Sequence, residues 1–429
     1  MIPEIEKASK EEIKAYQEKK LEETLQYLNK NSSFYKRFFK ENSIRLSEIK
    51  TLQDLQKIPV TTKDQLQQFN NDFICVPKTE IIDYVTTSGT LGDPVTFALT
   101  DNDLERLAYN EAISFACCGV GKEDTMQLMT TMDRRFMAGL AYFLGARKLG
   151  SGIIRVGSGI PELQWDSILK FKPSYLITVP SFLLKLIEYA QQHEIDLQNT
   201  GVKAVICIGE PIREQDFSLN ILAQKIKKDW DIELFSTYAS TEMSTAFNEC
   251  EIHNGGHHHP ELIITEILDD NNLPVSEGEV GELTITTLGV EAMPLLRFKT
   301  GDMVQAYNAP CKCGRNTMRL GPVVGRKKQM IKYKGTTLYP PAMYNILNDF
   351  SEIESYVIEI FHNELGTDEI LIKIASAAIS EELLLEIKDH FRAKLRVAPK
   401  IEFASSEEIE SLRFPILSRK PIDLIDRRA

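Results

Sequence analysis

Residues 174–210 read SYLITVPSFLLKLIEYAQQHEIDLQNTGVKAVICIGE, and this stretch decides the fold class. Two short apolar runs, SYLITVP and VKAVICIGE, flank the segment SFLLKLIEYAQQH, whose apolar residues recur at helical spacing. Strand, helix and strand in this order are typical of a βαβ unit in a parallel sheet. The earlier runs TMQLMTT and SGIIRV extend the pattern. We therefore predict an α/β fold with helices on both faces of a sheet.

The sequence on either side of this region has a different character. Residues 5–30 have the apolar spacing of an amphipathic helix, and IPVTTKDQL opens a second short helix with Thr61 or Thr62 as its N-cap. After Asp231, the runs ELIITEIL and VGELTITTL indicate strands that are joined by tight turns.

The block that starts at Gly325 has the pattern strand, helix, strand, helix and strand, typical of a small α+β unit. A basic turn near this glycine separates it from the preceding region. We predict a large N-terminal α/β domain with mixed sheets, residues 1–326, and a small, mobile α+β C-terminal domain, residues 327–429.

Composition excludes several classes of protein. The chain has 429 residues, 43% hydrophobic and 26% charged, which is typical of a globular protein and not of a disordered one. The net charge of −12 disfavours binding to nucleic acid or to an anionic membrane. No apolar run is long enough to span a membrane, and the polar start lacks the apolar core of a secretion signal. We expect a cytoplasmic protein whose seven cysteines are thiols or metal ligands.

The loop TTSGTLGDP, residues 86–94, combines hydroxyl side chains with two glycines after a strand-like run. Glycine lets backbone N–H groups approach a ligand closely, and the hydroxyls add further donors, which together suit a triphosphate. The loop is not a Walker A motif, because that motif requires a lysine that is missing here.

Further motifs follow the loop in a fixed order: GEP at 209–211, YASTE at 238–242, LLRFKTGD at 295–302 and GRKKQMIKYKG at 325–335. In order and spacing this series resembles the adenylate-forming superfamily of acyl-CoA synthetases, luciferases and peptide-synthetase adenylation domains. The segments EAMPLLRFKTGD, PCKCGR and IDLIDRR make it most similar to the phenylacetate–CoA ligase family within that superfamily. The resemblance extends from about residue 30 to the end of the chain.

The resemblance implies a site for ATP, Mg²⁺ and coenzyme A. The residues that it places around the phosphates and the metal are Ser88, Gly89, Thr90 and Gly92 on the triphosphate, Thr241 on the α-phosphate and Glu242 on Mg²⁺. The residues that it places around the nucleoside are Gly209, Glu210 and Pro211 beside the adenine, Tyr238 stacked on it, Asp302 on the ribose hydroxyls and Arg326 on a nearby phosphate or ribose oxygen. Lys420 is implied in adenylation, and Lys334 and Gly335 in the path of the thiol.

These roles also agree with the chemistry of the side chains. A carboxylate such as Asp302 accepts hydrogen bonds from two hydroxyls at once, and Glu242 is a hard oxygen ligand for Mg²⁺. Lys420 would stabilise negative charge that shifts in the transition state. The loop departs from the family pattern, with Leu91 in place of a second threonine and Asp93 in place of a lysine. One phosphate donor and one positive charge are therefore missing from it.

Cysteine and histidine residues predict a structural Zn²⁺ site. Cys311 and Cys313 form a Cys-x-Cys pair, and Cys250 precedes a cluster of four histidines in CEIHNGGHHHP. Three cysteines and one histidine would complete a closed tetrahedral site. We expect His257 to be the nitrogen ligand because it aligns with a family histidine, with His258 as the alternative.

The segment TTMDRRFMAGLAYFLGARKLG aligns with the part of the resembled family that forms the aryl pocket. An apolar, roomy wall suits a flat hydrophobic acid. The four residues that we expect in this pocket are Phe136, Ala138, Gly139 and Tyr142. Asp133 and Arg134 replace the usual tyrosine and glycine, so these residues do not determine which acid binds.

Taken together, the sequence predicts an AMP-forming acid–thiol ligase. It would activate an aromatic acid, phenylacetate or a similar aryl acid, as the acyl-adenylate and then transfer the acyl group to coenzyme A. Two alternatives stay open: an adenylating enzyme that loads a carrier protein, and a non-catalytic relative that binds nucleotide. We expect small-molecule partners, with no nucleic acid and no membrane; a homodimer is one of the assemblies that the sequence leaves open.

Overall fold

The structure is a computed structural model that describes nearly the whole chain. The described residues are 2–87, 95–334, 336–363, 367–414 and 422–428. The chain divides into two compact units. The first consists of Met1–Thr300 and Val304–Pro322, and the second of Gly301–Met303 and Val323–Ala429. A functional boundary after residue 326 stays a prediction.

The first unit alternates helices and strands. Its helices are α1 (Glu4–Lys7), α2 (Lys10–Asn31), α3 (Ser33–Glu41), α4 (Lys63–Gln68), α5 (Asp101–Cys117), α6 (Met137–Leu149), α7 (Pro161–Phe171), α8 (Pro180–Gln192) and α9 (Ile221–Asp229). Its strands are β1 (Asp83–Thr86), β2 (Thr96–Leu99), β3 (Thr125–Leu128), β4 (Gly152–Arg155), β5 (Tyr175–Thr178), β6 (Ala204–Cys207), β7 (Glu233–Ser240), β8 (Thr245–Asn248), β9 (Gly256–His257), β10 (Ile263–Leu268), β11 (Gly281–Thr287), β13 (Ala306–Tyr307) and β14 (Arg319–Leu320). Strand β12 (Phe298–Val304) runs from this unit into the second.

The main sheet has the strand order β13-β14-β9-β8-β7-β6-β5-β3-β4. Strands β4, β3, β5, β6 and β7 are parallel, whereas β7, β8, β9, β14 and β13 pair in antiparallel fashion. Parallel strands that are joined by helices put their carboxyl ends on one edge of the sheet. The predicted α/β class with mixed sheets is confirmed.

Alternation along the central strands gives the sheet two apolar faces. Leu176 of β5 and Val205 of β6 pack on one face with Trp165 of α7 and Leu183 of α8. The residues that follow them in each strand, Ile177 and Ile206, pack on the other face with residues of α5 and α6. Because side chains in a strand alternate between faces, continuous apolar runs here mean burial on both sides.

Two further antiparallel pairs lie in the first unit, and the first of them belongs to a four-stranded sheet of order β10-β11-β12-β15, in which β15 is Gly325–Arg326. β10 pairs with β11 from Ile263 opposite Thr287 to Leu268 opposite Glu282. β1 pairs with β2, and the amide of Thr87 donates to the carbonyl of Val95 at 3.0 Å, just outside the pair. The hydroxyl-rich loop therefore lies between β1 and β2, although its residues 88–94 lie outside the described part of the chain.

At the N-terminus the structure differs from the single predicted helix over residues 5–30. The helical region is split, because Ser9 is the N-cap of α2 and forms a capping box with Glu12. Its hydroxyl accepts from the Glu12 amide, and the Glu12 carboxylate accepts from the Ser9 amide at 2.9 Å. The second predicted helix is confirmed as α4, with Thr62 rather than Thr61 as its N-cap.

The second unit is an α+β structure. Its elements are β15 (Gly325–Arg326), β16 (Ile331–Tyr333), β17 (Thr336–Leu338), α10 (Pro340–Asn348), β18 (Ile353–His362), β19 (Asp368–Ser376), α11 (Glu381–Leu395), β20 (Lys400–Phe403), α12 (Ser406–Arg413) and β21 (Leu424–Asp426). β18 and β19 form an antiparallel pair in a sheet of order β20-β19-β18-β21. The predicted pattern of strand, helix, strand, helix and strand lacks this second central strand. In the described residues no helix has the length and apolar character needed to cross a bilayer.

Candidate functional site

Three adjacent parallel strands end at one edge of the main sheet. β5 leads to Ser181 at the start of α8, β6 leads to residues 209–211, and β7 leads to residues 241–242. In open α/β sheets, ligands bind beyond the carboxyl ends of such strands. The topology therefore brings the GEP and YASTE motifs together at this edge, as the sequence predicts for a shared site.

The GEP turn is held by its own glutamate. The Glu210 carboxylate accepts from the Ser181 amide at 2.8 Å and from the Ser181 hydroxyl at 2.8 Å. A carboxylate at this position satisfies a free N–H group of α8 and complements the positive end of its dipole. Gly209 has a φ of +76°, a left-handed conformation that favours glycine. The turn after β6 is therefore fixed by the helix that follows β5.

The YASTE motif spans the end of β7 and a tight turn. Tyr238 is half-buried on β7 opposite Phe247 of β8, and the two ring centroids are 6.0 Å apart. In the turn, the Met243 amide donates to the Ser240 hydroxyl at 3.3 Å. Thr241 and Glu242 lie in this turn, directly after the strand ends. The motif thus places one aromatic ring near the end of β7 and one carboxylate in the turn that follows it.

A buried arginine supports the residues that follow this turn. Arg106 of α5 donates to the carbonyls of Ser244 at 2.6 Å, Leu262 at 2.6 Å and Leu288 at 2.7 Å. Burial lowers the pKa of its guanidinium to about 10, so the group keeps its charge at neutral pH. Because the planar guanidinium has five fixed donors, it joins the three separate segments that contain Ser244, Leu262 and Leu288.

Lys63 contacts the candidate magnesium ligand, and no pattern in the sequence predicts this contact. Its Nζ lies 3.3 Å from an Oε of Glu242, whose side chain is 12% exposed. Lys63 is the first residue of α4, directly after the N-cap Thr62. Its position in an ordinary helix N-terminus gave no chemical signal.

Two predicted nucleotide residues lie in the second unit. Asp302 and Arg326 are opposite each other where β12 pairs with β15. The Arg326 Nε lies 3.5 Å from a carboxylate oxygen of Asp302. Lys334 is exposed, and its Nζ lies 4.7 Å from the centroid of the Tyr333 ring. An Asp302 carboxylate that accepts hydrogen bonds from ribose hydroxyls would also be partly neutralised by the neighbouring Arg326 guanidinium.

Several predicted site residues lie outside the described part of the chain. They are Ser88, Gly89, Thr90 and Gly92 of the hydroxyl-rich loop, Gly335, and Lys420. Their implied roles stay predictions from the sequence.

The predicted acyl-pocket residues lie at and within α6. Phe136 is its N-cap and is 38% exposed, whereas Tyr142 is buried and packs against Phe115 at 5.9 Å between ring centroids. Gly139 is required by packing: a Cβ there would lie 2.0 Å from the Thr131 carbonyl oxygen. Ala138 is half-buried beside the same core. Their role around an acid stays a prediction.

Cys250, His257, Cys311 and Cys313 come together, with their ligand atoms all within 4.8 Å of one another. The Cys250 Sγ lies 3.7 Å from the Cys311 Sγ and 3.4 Å from the His257 Nε2, and the Cys313 Sγ lies 3.5 Å from the same nitrogen. Tetrahedral zinc with ordinary bond lengths requires about 3.8 Å between two sulfurs and about 3.6 Å between sulfur and nitrogen. The donor set therefore fits Zn²⁺ in both chemistry and spacing.

Of the two histidines that the sequence left open, the structure brings His257 to the cysteines. Burial lowers its pKa to about 3, so its imidazole is neutral and can bind a metal. Its Nδ1 lies 3.3 Å from the Thr317 hydroxyl, which orients the ring. His258 lies on the other strand face, where its Nε2 is 2.6 Å from the Ile263 carbonyl oxygen.

A sealed polar network adjoins the cysteine cluster. Glu6 lies 2.5 Å from the His259 Nδ1 and accepts from the Arg315 Nε at 2.6 Å, and the Ser114 hydroxyl lies 3.3 Å from the His259 Nε2. Serine, histidine and glutamate in this order resemble a hydrolase triad. All three are fully buried, however, so no substrate reaches the hydroxyl. The Arg315 Nη1 also donates to the Cys313 Sγ at 3.5 Å, which links the network to the cluster.

Comparison with known proteins identifies the family of this chain. The family model described as AMP-binding enzyme matches residues 20–292, more than half of the chain. The chain belongs to the AMP-binding enzyme family. This membership, together with the relatives below, confirms the resemblance to adenylate-forming enzymes that the sequence motifs predict.

Relatives within this AMP-binding family match over most of their length. The phenylacetate-coenzyme A ligase of Thermus thermophilus is 28% identical, over 96% of this chain and 99% of its own. The phenylacetate-coenzyme A ligase of Escherichia coli (strain K12) is 25% identical, over 91% and 90%. A solved structure of 2-hydroxyisobutyryl-CoA ligase in the postadenylation state is 24% identical with a TM-score of 0.84, over 99% of this chain and 92% of the other. At that identity the likeness shows the shared fold.

Proposed function

We propose that this chain is an ATP-dependent ligase that joins an aromatic carboxylic acid, phenylacetate or a similar aryl acid, to coenzyme A. In the first half-reaction a carboxylate oxygen attacks the α-phosphorus of ATP. The bond from that phosphorus to the bridging oxygen breaks, and pyrophosphate leaves with the electron pair. In the second, the thiol of coenzyme A attacks the acyl carbon and loses its proton, and AMP leaves.

The observation that carries this proposal is the meeting of the GEP and YASTE turns at one sheet edge. Tyr238 offers an aromatic face for the adenine, and the Gly209–Pro211 turn, held by Ser181, offers rigid backbone beside it. Thr241 supplies a hydroxyl for the α-phosphate. Membership of the AMP-binding family and the phenylacetate-coenzyme A ligase relatives support ATP-dependent acid activation.

Glu242 fits the magnesium role. Mg²⁺ in nucleotide enzymes is usually held by one or two carboxylates plus substrate phosphates and water. A single, mostly buried carboxylate in a strand-end turn meets that requirement. The ion would neutralise the charge of the phosphates. Glu242 would determine where the ion is held. Asp302 and Arg326 are our candidates for the ribose and a nearby phosphate.

The experiment is pyrophosphate release across a panel of aryl and fatty acids, with and without coenzyme A. We expect release with an aryl acid in both cases and an aryl thioester only when coenzyme A is present. AMP formation followed by transfer to a carrier protein, but never to coenzyme A, would favour the carrier-loading alternative. Nucleotide binding without pyrophosphate release for any acid would overturn the ligase proposal.

Lys420 separates the two half-reactions. Its ammonium would stabilise negative charge on the carboxylate and α-phosphate during adenylation. We expect Lys420→Ala to abolish acyl-adenylate formation and to leave thioester formation from supplied adenylate intact. Full activity of this variant in the first half-reaction would refute the role.

We also propose that Cys250, His257, Cys311 and Cys313 hold one structural Zn²⁺. Structural zinc sites are closed tetrahedral sets of thiolates and imidazoles, and this buried set has that character. The metal would link the CKCG turn to the segment that follows β8. We assign these four side chains no role in the reaction itself.

A further inference from the structure

We infer that Lys63 is a triphosphate-binding residue, which supplies from outside the hydroxyl-rich loop the positive charge that this loop lacks. The inference deepens the proposed function, because it rests on nucleotide binding beside Glu242. It names an additional binding residue and the part of the nucleotide that it contacts, the β- and γ-phosphates.

The first observation is the contact with Glu242. The Lys63 Nζ lies 3.3 Å from the carboxylate, and the lysine side chain is 43% exposed while that of Glu242 is 12% exposed. An ammonium group has three donors, and this contact uses one of them. The remaining donors lie beside the carboxylate that would hold the metal, so they are available to oxygens bound to the same ion.

The second observation is that the backbone before Lys63 is rigid. Thr61 is fully buried and forms a parallel bridge with Phe298. Its amide donates to the Arg297 carbonyl at 2.9 Å, its carbonyl accepts from the Lys299 amide at 2.9 Å, and its hydroxyl donates to the Leu296 carbonyl at 2.8 Å. The start of α4 is thus attached to β12, and the flexible lysine side chain extends from a fixed point.

The third observation is the charge balance of the loop. TTSGTLGDP contains one acidic residue, Asp93, and no basic one. A divalent ion at Glu242 would offset only part of the charge of a triphosphate, and the sequence of the loop offers no cation to offset the rest. Lys63, beside Glu242, supplies a positive charge of the kind that the loop sequence lacks.

An ordinary surface ion pair does not account for the position of Lys63 equally well. An exposed lysine often pairs with a carboxylate close to it in sequence, as Lys57 does with Asp54 at 2.7 Å. Lys63 instead pairs with a mostly buried carboxylate that follows it by 179 positions and lies at the sheet edge where the nucleotide motifs meet. Holding Glu242 without any nucleotide role would be a structural function, and the two roles predict different binding data.

The test is calorimetric titration of MgATP and of AMP into the wild type, Lys63→Ala, Lys63→Arg and Lys57→Ala. AMP lacks the β- and γ-phosphates, so the ratio of the two affinities isolates the contact. We expect Lys63→Ala to weaken MgATP binding about tenfold, the effect of losing one charge-assisted hydrogen bond, and to leave AMP binding unchanged. Lys63→Arg should recover most of the affinity, and Lys57→Ala should match the wild type.

Two results would overturn the inference: unchanged MgATP affinity in Lys63→Ala, or an equal loss of affinity for MgATP and AMP, which marks a structural role. A wild type that does not bind MgATP would refute both the inference and the proposed function. Selective loss of MgATP affinity without pyrophosphate release from any acid would refute the ligase proposal alone. In the active enzyme, Lys63→Ala should raise the KM for ATP and spare thioester formation from supplied acyl-adenylate.

Discussion

Glu6 and Arg315, which are 309 positions apart in the chain, form a buried ion pair with 2.6 Å between carboxylate oxygen and Nε. Burial raises the pKa of Glu6, but its electrostatic interactions and hydrogen bonds with His259 and Arg315 outweigh burial and hold that pKa below its usual value. The carboxylate is therefore ionised in the folded protein. The pair joins the first helix of the chain to the CKCG turn, and the Asn316 amide adds a bond to the Glu6 carbonyl at 2.8 Å.

We expect Glu6→Gln to destabilise the protein by roughly 3–5 kcal/mol, because it leaves the buried Arg315 guanidinium without its countercharge. Glu4→Gln in the same helix is the matched control. Its carboxylate forms an exposed pair with Lys7 at 2.9 Å, so its loss should change stability by less than about 1 kcal/mol. Urea unfolding measures both, and equal effects for the two variants would contradict the assignment.

The cysteine cluster predicts the metal content of the protein. We expect about one zinc per chain in protein purified without chelators, measured by elemental analysis. Cys311→Ser should lose the metal because it removes a ligand. Cys117→Ser should keep it, since the Cys117 thiol is buried nearby but bonds to the Asn248 carbonyl at 3.5 Å. Metal-free wild type, or equal metal loss in both variants, would exclude a zinc site built from these four residues.

Local sequence patterns were sufficient for most of the elements of the first unit. The strands β3, β5 and β6 were predictable because each is an apolar run buried on both faces, and β4, a partly exposed edge strand, was predictable from its apolar run alone. α4 was predictable from its N-cap chemistry. The break between α1 and α2 was missed because the apolar spacing continues across Ser9, while the cap depends on one hydroxyl and one carboxylate three residues apart.

The contacts that complete the candidate sites could not be predicted in this way. Lys63 meets Glu242, and Glu6 meets Arg315, only because the folded chain brings distant segments together. The cysteine cluster was predictable because few residue types bind zinc. The positions of cysteine and histidine in the sequence therefore limit which residues can be the ligands. Lysine and glutamate are common on protein surfaces, so their presence in the sequence does not indicate which lysine pairs with which glutamate.

The contacts of Arg106 predict that the stability of the protein depends strongly on this one side chain. We expect Arg106→Lys to cost roughly 3 kcal/mol, because one ammonium cannot reach the separate carbonyls of Ser244, Leu262 and Leu288, and a buried carbonyl without a donor is costly. Arg147→Lys on α6, where the side chain is exposed, should be neutral. Thermal and urea unfolding give the comparison, and a neutral Arg106→Lys would show that the guanidinium does not hold these segments.

Glu111 predicts how stability changes with pH. This carboxyl on α5 is buried against Gly145 of α6, accepts from the Asn110 side chain at 2.9 Å, and has its pKa raised by burial to about 8. Between about pH 4.5 and 8 the unfolded chain releases this proton and the folded chain keeps it. The contribution of Glu111 to the free energy of unfolding therefore falls as pH rises, by about 1.4 kcal/mol per unit, and levels off above pH 8.

We expect Glu111→Gln to remove this slope, so that the variant gains stability relative to the wild type from pH 5 to pH 7.5 in urea unfolding. Glu105→Gln on the same helix is the control. The bond from Lys148 lowers the pKa of Glu105, so its titration falls below this range and its curve should run parallel to the wild type. If the Glu111→Gln and wild-type curves were also parallel, Glu111 would be ionised in the folded protein, and its burial between α5 and α6 would need a countercharge.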